Sequence, residues 1–494
     1  MSATPTGARP ASRALLTDFY ELTMAAAAWK AGIAGDEAAF SVSFRRNPFD
    51  GGFTLAAGLE AVVDYLEEYR FDESDLAFLA AQRDGRGAPL FEPGFLDHLR
   101  RLEPAVDVDA MPEGTAVFPW EPLLRVSGPI IPCMLLETPL LTLLNFQSLI
   151  ATKAARICLA ARGDPVLEFG LRRAQGFDGG LSASRAAYVG GCAATSNTLA
   201  GKVHGIPVRG THAHSWVMFF DEEPEAFLAY AEAMPGNCVL LVDTYGTLDG
   251  VRHAIEVGRW LRQRDADLDG IRLDSGDLAW LSVEARRMLD AAGFQRTRIL
   301  ASNELDEHII ESLKDQGARI AVWGVGTRLV TGASDAALGG VYKLGAVRRG
   351  GGGWVHRVKV SEHSAKTSVP GILQVRRFRS AERYLADCIH DELGGVPGRP
   401  TIVDPLDPTR RREIPEGAAF EDLLVPVFRG GRRVHELPPL AACRARALEE
   451  LRRLPAGAKR FVNPHPYPVG LERGLFELRT RLILEARRRS VAGA

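Results

Sequence analysis

The sequence predicts an α/β protein built around a parallel sheet of barrel size, and two observations carry that prediction. Between residues 239 and 327, four apolar β-rich runs (VLLVDTYGT, GIRLDSGD, RILASNELD and RIAVWGVGT) end in polar residues, and the first three lead into amphipathic helical segments. Nearly continuous Val/Ile/Leu runs mark strands buried on both faces, and a strand-helix repeat of about 30 residues marks parallel pairing with right-handed crossovers. The second observation is where the unusual residues fall. Asp243, Arg272, Asp274, Ser302, Asn303, Gly324, Gly326 and Thr327 all sit at the carboxyl ends of these strands, the ligand face of parallel α/β architectures. They are expected to converge on one site.

At 494 residues the chain exceeds one ordinary core, which implies two or three domains. With 60 basic against 62 acidic residues and a net charge of −2, neither nucleic acid nor an anionic membrane surface is an expected partner. The six cysteines form no CxxC pair and have no histidine at metal-ligand spacing, so a reducing cytoplasm is expected rather than a disulfide framework or structural zinc. No run of about 18 apolar residues is apparent. The acid-free start MSATPTGARPASRALL reads as a flexible tail over residues 1–16.

In chain order, Asp18 and Glu21 have the spacing of a capping-box variant, and LTMAAAAWKAG ends at Gly32, so a helix begins near Phe19 with Tyr20 in its first turn. Residues 39–44 alternate as a half-buried strand, residues 47–52 carry turn chemistry, and residues 56–69 have helical periodicity. Arg45 and Arg46 precede the turn as either an anion site or a solvated strand end. The stretch 17–136 reads as an α+β domain and 137–345 as the catalytic α/β domain, opening with a long helix over 137–163. A strand follows at 165–170. Arg172 and Arg173 lie just beyond it, beside a Gly/Ser-rich passage, and suit a phosphate or a plain surface equally.

A further strand is expected at 206–209, ending in Gly210 and Thr211. His212 and His214 stand at i and i+2, which permits chelation, but no third or fourth ligand lies nearby. His214 reads as an acid, base or nucleophile, or as a buried structural histidine. Asp277 precedes a helix and is either its N-cap or part of the site. Short strands with glycine turns, then helices over 441–453 and 471–489, fill the C-terminal part, 346–494.

Taken together and in order, LLTDFYELTMA, FRRNPFDGGFTLAAGLE, ETPLLTLLNFQSLIATKAAR, EFGLRRAQG, GTHAHSWV, LVDTYGT, GIRLDSGDL, ASNELDE, GVGTRLVT, GGVYKL and KTSVPG resemble the nicotinate phosphoribosyltransferases. The match runs from about Leu15 to Gly371, with no comparable motif beyond. The resemblance implies an irregular TIM-like α/β barrel, with a second α+β domain formed from the N-terminal and C-terminal parts of the chain. It implies condensation of nicotinate with 5-phosphoribosyl-1-pyrophosphate in NAD salvage, giving nicotinate mononucleotide and pyrophosphate. ATP as co-substrate, Mg²⁺ as cofactor and a cytoplasmic homodimer are also implied.

Residue by residue, the resemblance makes His214 the phosphohistidine, with Asp243 placed to fix its tautomer. Arg272, aided by Thr211, becomes the partner of the nicotinate carboxylate. Tyr20, contributed across the dimer interface, and Phe169 become the aromatic pair around the pyridine ring. Asp274 corresponds to the ribose-binding carboxylate, and Gly326 and Thr327 to the 5-phosphate loop. Arg45, Arg172 and Lys343 would face the pyrophosphate. No side chain is assigned to the metal. Two other readings stay open at this point: a nicotinamide phosphoribosyltransferase, against which the missing aspartate in 182–194 speaks, and a sugar-phosphate-binding barrel without catalysis.

Overall fold

The Val/Ile/Leu runs form a six-stranded sheet of β1 (Val166–Glu168), β2 (Ala194–Thr195), β3 (Val239–Leu241), β4 (Gly270–Leu273), β5 (Arg298–Ala301) and β6 (Val322–Val325). Its order is β2-β1-β6-β5-β4-β3, and every pairing is parallel. The helices Thr247–Arg262, Leu278–Ala291 and Glu307–Asp315 follow β3, β4 and β5 as the periodicity predicts. Aspartates start two of them: Asp277 accepts from the Trp280 N–H at 3.0 Å, and Asp306 from those of His308 and Ile309. Asp277 is therefore the helix N-cap, and Asn would cap about as well.

This computed structural model describes residues 12–363 and 366–492. The parallel sheet lies in a unit of Leu149–Ala337 and Leu440–Leu448; the other unit comprises Met1–Ser148, Leu338–Pro439 and Glu449–Ala494. Two local expectations fail in the sheet-bearing unit. The strand expected at 206–209 shrinks to one bridge, Thr195 to Val208, since Pro207 has no N–H to give a ladder. The sixth strand is instead β2, a two-residue strand hidden in GGCAATSN, and Val208 lies beside it. His214 then opens a short helix, His214–Met218, instead of ending a strand.

The other unit holds two larger mixed or antiparallel sheets. Its seven-stranded sheet interleaves chain ends: Glu37–Ser43 lies between Val341–Arg348 and Leu124–Pro129, antiparallel to both. The helix Phe19–Lys30 forms as expected, but Asp18 makes no side-chain cap. Glu21 is buried and accepts instead from the Thr138 N–H and hydroxyl at 3.0 and 2.5 Å. Of the expected tail, residues 1–11 lie outside the described residues. From Ser12 the chain is packed, with the Ser12 hydroxyl on the Arg70 carbonyl at 2.6 Å.

The helical stretch Ile130–Ala160 is long and apolar enough to cross a membrane by length and composition, with 56% of its apolar window buried inside the protein. It escapes a search for uninterrupted apolar runs because Lys153 and Arg156 interrupt it, both buried on the Glu307 carboxylate at 2.6 and 2.8 Å. Burial and those paired charges are the signature of a core helix.

Candidate active site

Phe169 after β1, Thr211 in the loop beyond β2, Arg272 and Asp274 at the end of β4, and Gly326 and Thr327 after β6 line one cleft of about 520 Å³ together with His214, Arg172 and Arg173. Arg272 is its centre. Its Nε donates to the Ser302 hydroxyl at 2.7 Å, Nη1 to the Thr211 hydroxyl at 3.2 Å and Nη2 to the Asp274 carboxylate at 3.0 Å. A guanidinium has five N–H donors, so one on each terminal nitrogen is left over, the pair that a carboxylate takes in bidentate fashion. The Phe169 ring lies 5.8 Å from the guanidinium carbon, in reach of the same ligand.

Phe169 has its place because Gly324 has no side chain. A Cβ there would come 2.7 Å from the ring, and one at Gly170 would come 2.3 Å from Val330. Gly324→Ala is expected to raise the KM for a ligand packed on that ring by roughly 10- to 100-fold, the scale of a 1 Å misplacement in a site, with little change in melting temperature. Steady-state kinetics on the purified variant checks this, and an unchanged KM would show that the ring position does not matter.

Burial alone would raise the Asp274 carboxyl, but the Ser302 hydroxyl and Arg272 outweigh it and hold it below the ordinary carboxylate value. Asp274 is therefore an ionised acceptor throughout the neutral range, and its oxygen stands 3.7 Å from His214 Nε2. Asp243 does not play its expected part. It accepts from the Asp274 N–H at 2.8 Å and the Ser275 hydroxyl at 2.7 Å, anchoring the loop after β4, whereas His214 Nδ1 meets the Thr244 hydroxyl at 3.1 Å. The correction has a simple cause: the two backbone turns bring neighbouring residues, not Asp243 itself, to the imidazole.

His212 is no metal partner of His214. Its Nε2 accepts from the Leu241 N–H at 3.2 Å, and burial pushes its pKa down to about 4. A histidine kept neutral in the fold stabilises above its unfolded pKa near 6.5 and loses that contribution as pH falls from there toward 4. Urea unfolding should show about 2 kcal/mol lost between pH 7 and pH 5, and His212→Gln should remove most of that dependence. An equal loss in the variant would assign it to other groups.

Two carboxylates went unnoticed in the sequence. Glu168, fully buried in β1, accepts from the Ser184 and Thr195 hydroxyls at 2.7 and 2.5 Å and from the Gly170 N–H, which holds the turn carrying Phe169 and Arg172. Glu304 lines the cleft and accepts from the Thr327 hydroxyl at 3.1 Å. Just before Glu304, Asn303 adopts φ 112°, a left-handed conformation that is costly for a residue other than glycine and recurs at functional sites. Arg172 and Arg173 are exposed.

Tyr20, Arg45 and Lys343 belong to the other unit. Arg45 and Lys343 line one small recess there with Ser41, Ser43, Lys366 and Thr367. Burial lowers the Lys343 pKa, and the charges of Lys359 and Arg45 add to that against the pull of Glu137. Tyr20 is half exposed, and burial together with the Glu137 and Glu21 carboxylates pushes its hydroxyl up to about 12.

Residues 15–145 match the nicotinate phosphoribosyltransferase N-terminal domain and residues 374–479 the C-terminal domain of the same family. The second match covers the part in which no motif is recognisable by eye. A nicotinate phosphoribosyltransferase of Bacillus subtilis is 40% identical over 98% of both chains, and that of Bos taurus is 37% identical over 96% of this chain and 97% of its own. The crystal structure of human nicotinic acid phosphoribosyltransferase superposes with a TM-score of 0.82 at 35% identity, over 94% of this chain and 99% of the human one.

Proposed function

The chain belongs to the nicotinate phosphoribosyltransferase family, and on that premise we propose how its cleft carries out the transfer to nicotinate that makes it a pyridine-nucleotide salvage enzyme. The arrangement of Arg272 supports this most directly: two spare guanidinium donors, with Phe169 in reach of the same ligand, suit a planar ring bearing a carboxylate. With the carboxylate on Arg272, the ring nitrogen attacks C1 of the phosphoribosyl group. The N–C1 bond forms as the C1–O bond breaks, and that electron pair leaves on pyrophosphate. Holding both reactants in one cleft supplies most of the advantage, and stabilising the departing charge the rest.

Asp274, kept ionised, accepts the ribose hydroxyls, while Gly326 and Thr327 hold the 5-phosphate. Arg172, at the edge of the same cleft, faces the pyrophosphate. Mg²⁺ would be carried largely on phosphate oxygens and water. Asp274 and Glu304 are the cleft carboxylates that would hold it, and its charge would offset that of the leaving group.

His214 takes the γ-phosphoryl group of ATP on Nε2: the N–P bond forms as the bond from the γ-phosphorus to the bridging oxygen breaks, and ADP leaves with that electron pair. The His214 Nδ1 lies 3.1 Å from the Thr244 hydroxyl, which can donate to it or accept from it and so orients the ring in either tautomer. The curled parallel sheet is an irregular barrel. A flat sheet of six strands would set β2 and β3 roughly 24 Å apart. Ala194 and Val239 from those edges nevertheless line one cavity of about 300 Å³, and the Leu241 N–H reaches His212. Phe19, Tyr20 and Met24 leave exposed apolar side chains on one helix, with Leu16 exposed just before it, which supports a homodimer that brings Tyr20 to the partner's ring site. Six free cysteines agree with a cytoplasmic location.

Following nicotinate mononucleotide by chromatography, with nicotinate, 5-phosphoribosyl-1-pyrophosphate, Mg²⁺ and ATP omitted in turn, tests this scheme. No product without either organic substrate and faster turnover with ATP are expected. Turnover indifferent to ATP would remove the phosphohistidine from it.

A further inference from the structure

The inside of the parallel sheet is hollow. Val166, Leu240, Ile299 and Trp323, on the outer face of their strands, are 0–1% exposed, whereas their neighbours Leu167, Val239, Leu300 and Val322, which point inward together, are 4–8% exposed. Small barrels usually fill this space with layers of branched side chains. Here, with only Ala194 contributed by β2, a cavity of about 300 Å³ remains, the size of a small-molecule site.

This cavity shares Phe169, Gly210 and Thr211 with the catalytic cleft, but none of His214, Arg272, Asp274 or Thr327 lines it. Toward the amino ends of the strands it shares Arg209, Gly210, Asn237 and Arg298 with an open recess that also includes Asp269. From Arg298 to Ala301 the strand spans about 10 Å, so the apolar passage is roughly that long. Its polar end is basic. Arg209 and Arg298 are both exposed, and Arg209 donates to the Val208 carbonyl at 2.9 Å. The one carboxylate beside them, Asp269, accepts from the Cys238 N–H at 2.9 Å.

We propose that this passage is a second binding site, for an elongated apolar molecule with one carboxylate, whose anionic end lies on Arg298 and Arg209 and whose apolar end reaches the back of Phe169. Occupancy presses on the same ring and the same Thr211 that position nicotinate, so the ligand acts as an inhibitor that raises the KM for nicotinate. The inference rests on the reading of Phe169 and Arg272 as the ring site, which turnover on nicotinate tests by itself.

The probe is decanoate, below its micellar concentration, titrated calorimetrically into the full-length protein. One saturable site per chain is expected, weakened about tenfold or more in Arg298→Gln, the scale of a lost charge-assisted hydrogen bond. Decanoate should raise the nicotinate KM of the native enzyme and not that of Arg298→Gln, whose own turnover without decanoate stays native. Val322→Phe, which fills the passage, should also abolish binding. Absence of saturable binding, or binding that Arg298→Gln leaves intact, overturns the proposal. Binding lost in Arg272→Ala but kept in Arg298→Gln would place the anion in the catalytic cleft alone and overturn it as well.

Discussion

Arg272→Ala is expected to lower kcat/KM for nicotinate by about 30-fold to more than 1,000-fold, the 2–5 kcal/mol that follows from removing one side of a desolvated charge pair. The guanidinium is only 14% exposed and also holds Asp274, Ser302 and Thr211. Its loss therefore removes the carboxylate partner and loosens the ribose acceptor at once. Arg272→Lys separates these effects, since an ammonium keeps the charge but not the planar fork. It should still lose at least about tenfold, because bidentate geometry is not conserved between the two. Steady-state kinetics beside thermal unfolding checks both variants. Near-native kcat/KM in Arg272→Ala would place the nicotinate carboxylate elsewhere.

The second large effect is expected for His214→Ala. The variant should retain transfer from 5-phosphoribosyl-1-pyrophosphate at the rate native enzyme shows without ATP, and lose all stimulation by ATP together with any acid-labile protein phosphate. His214 is 40% exposed at the cleft, so little folding stability depends on it. Labelling with γ-³²P-ATP, followed by acid treatment, reads the phosphoryl group directly. Stimulation by ATP that survives in the variant would move the phosphoryl acceptor to another residue.

The parts of this site that were legible in the sequence share one property: they end apolar runs. Arg272, Asp274, Gly326 and Thr327 stand out because nothing in a buried strand needs them, and the structure gathers them with Thr211 and Phe169 in one cleft. Glu168 was illegible for the opposite reason. It lies inside VLEFG, and only the folded hydroxyls of Ser184 and Thr195 account for a carboxylate there. Asp243 misled because its neighbourhood depends on backbone turns: the loop N–H of Asp274 claims it before His214 does. Strand β2 escaped because two residues carry no periodicity, and residues 206–209 looked like a strand although Pro207 denies them a ladder. The seven-stranded sheet of the other unit draws strands from distant parts of the chain, residues 37–43 pairing with 341–348, which no local pattern encodes.

With the carboxylate on Arg272, as proposed, the site is expected to discriminate between acid and amide, because a carboxamide turns two donors of its own toward guanidinium N–H groups that a carboxylate would satisfy. Turnover of the native enzyme on nicotinate and on nicotinamide, under identical 5-phosphoribosyl-1-pyrophosphate, Mg²⁺ and ATP, measures that discrimination most directly. A kcat/KM at least about 100-fold higher on nicotinate is predicted. Equal use of both bases, or preference for the amide, would contradict it.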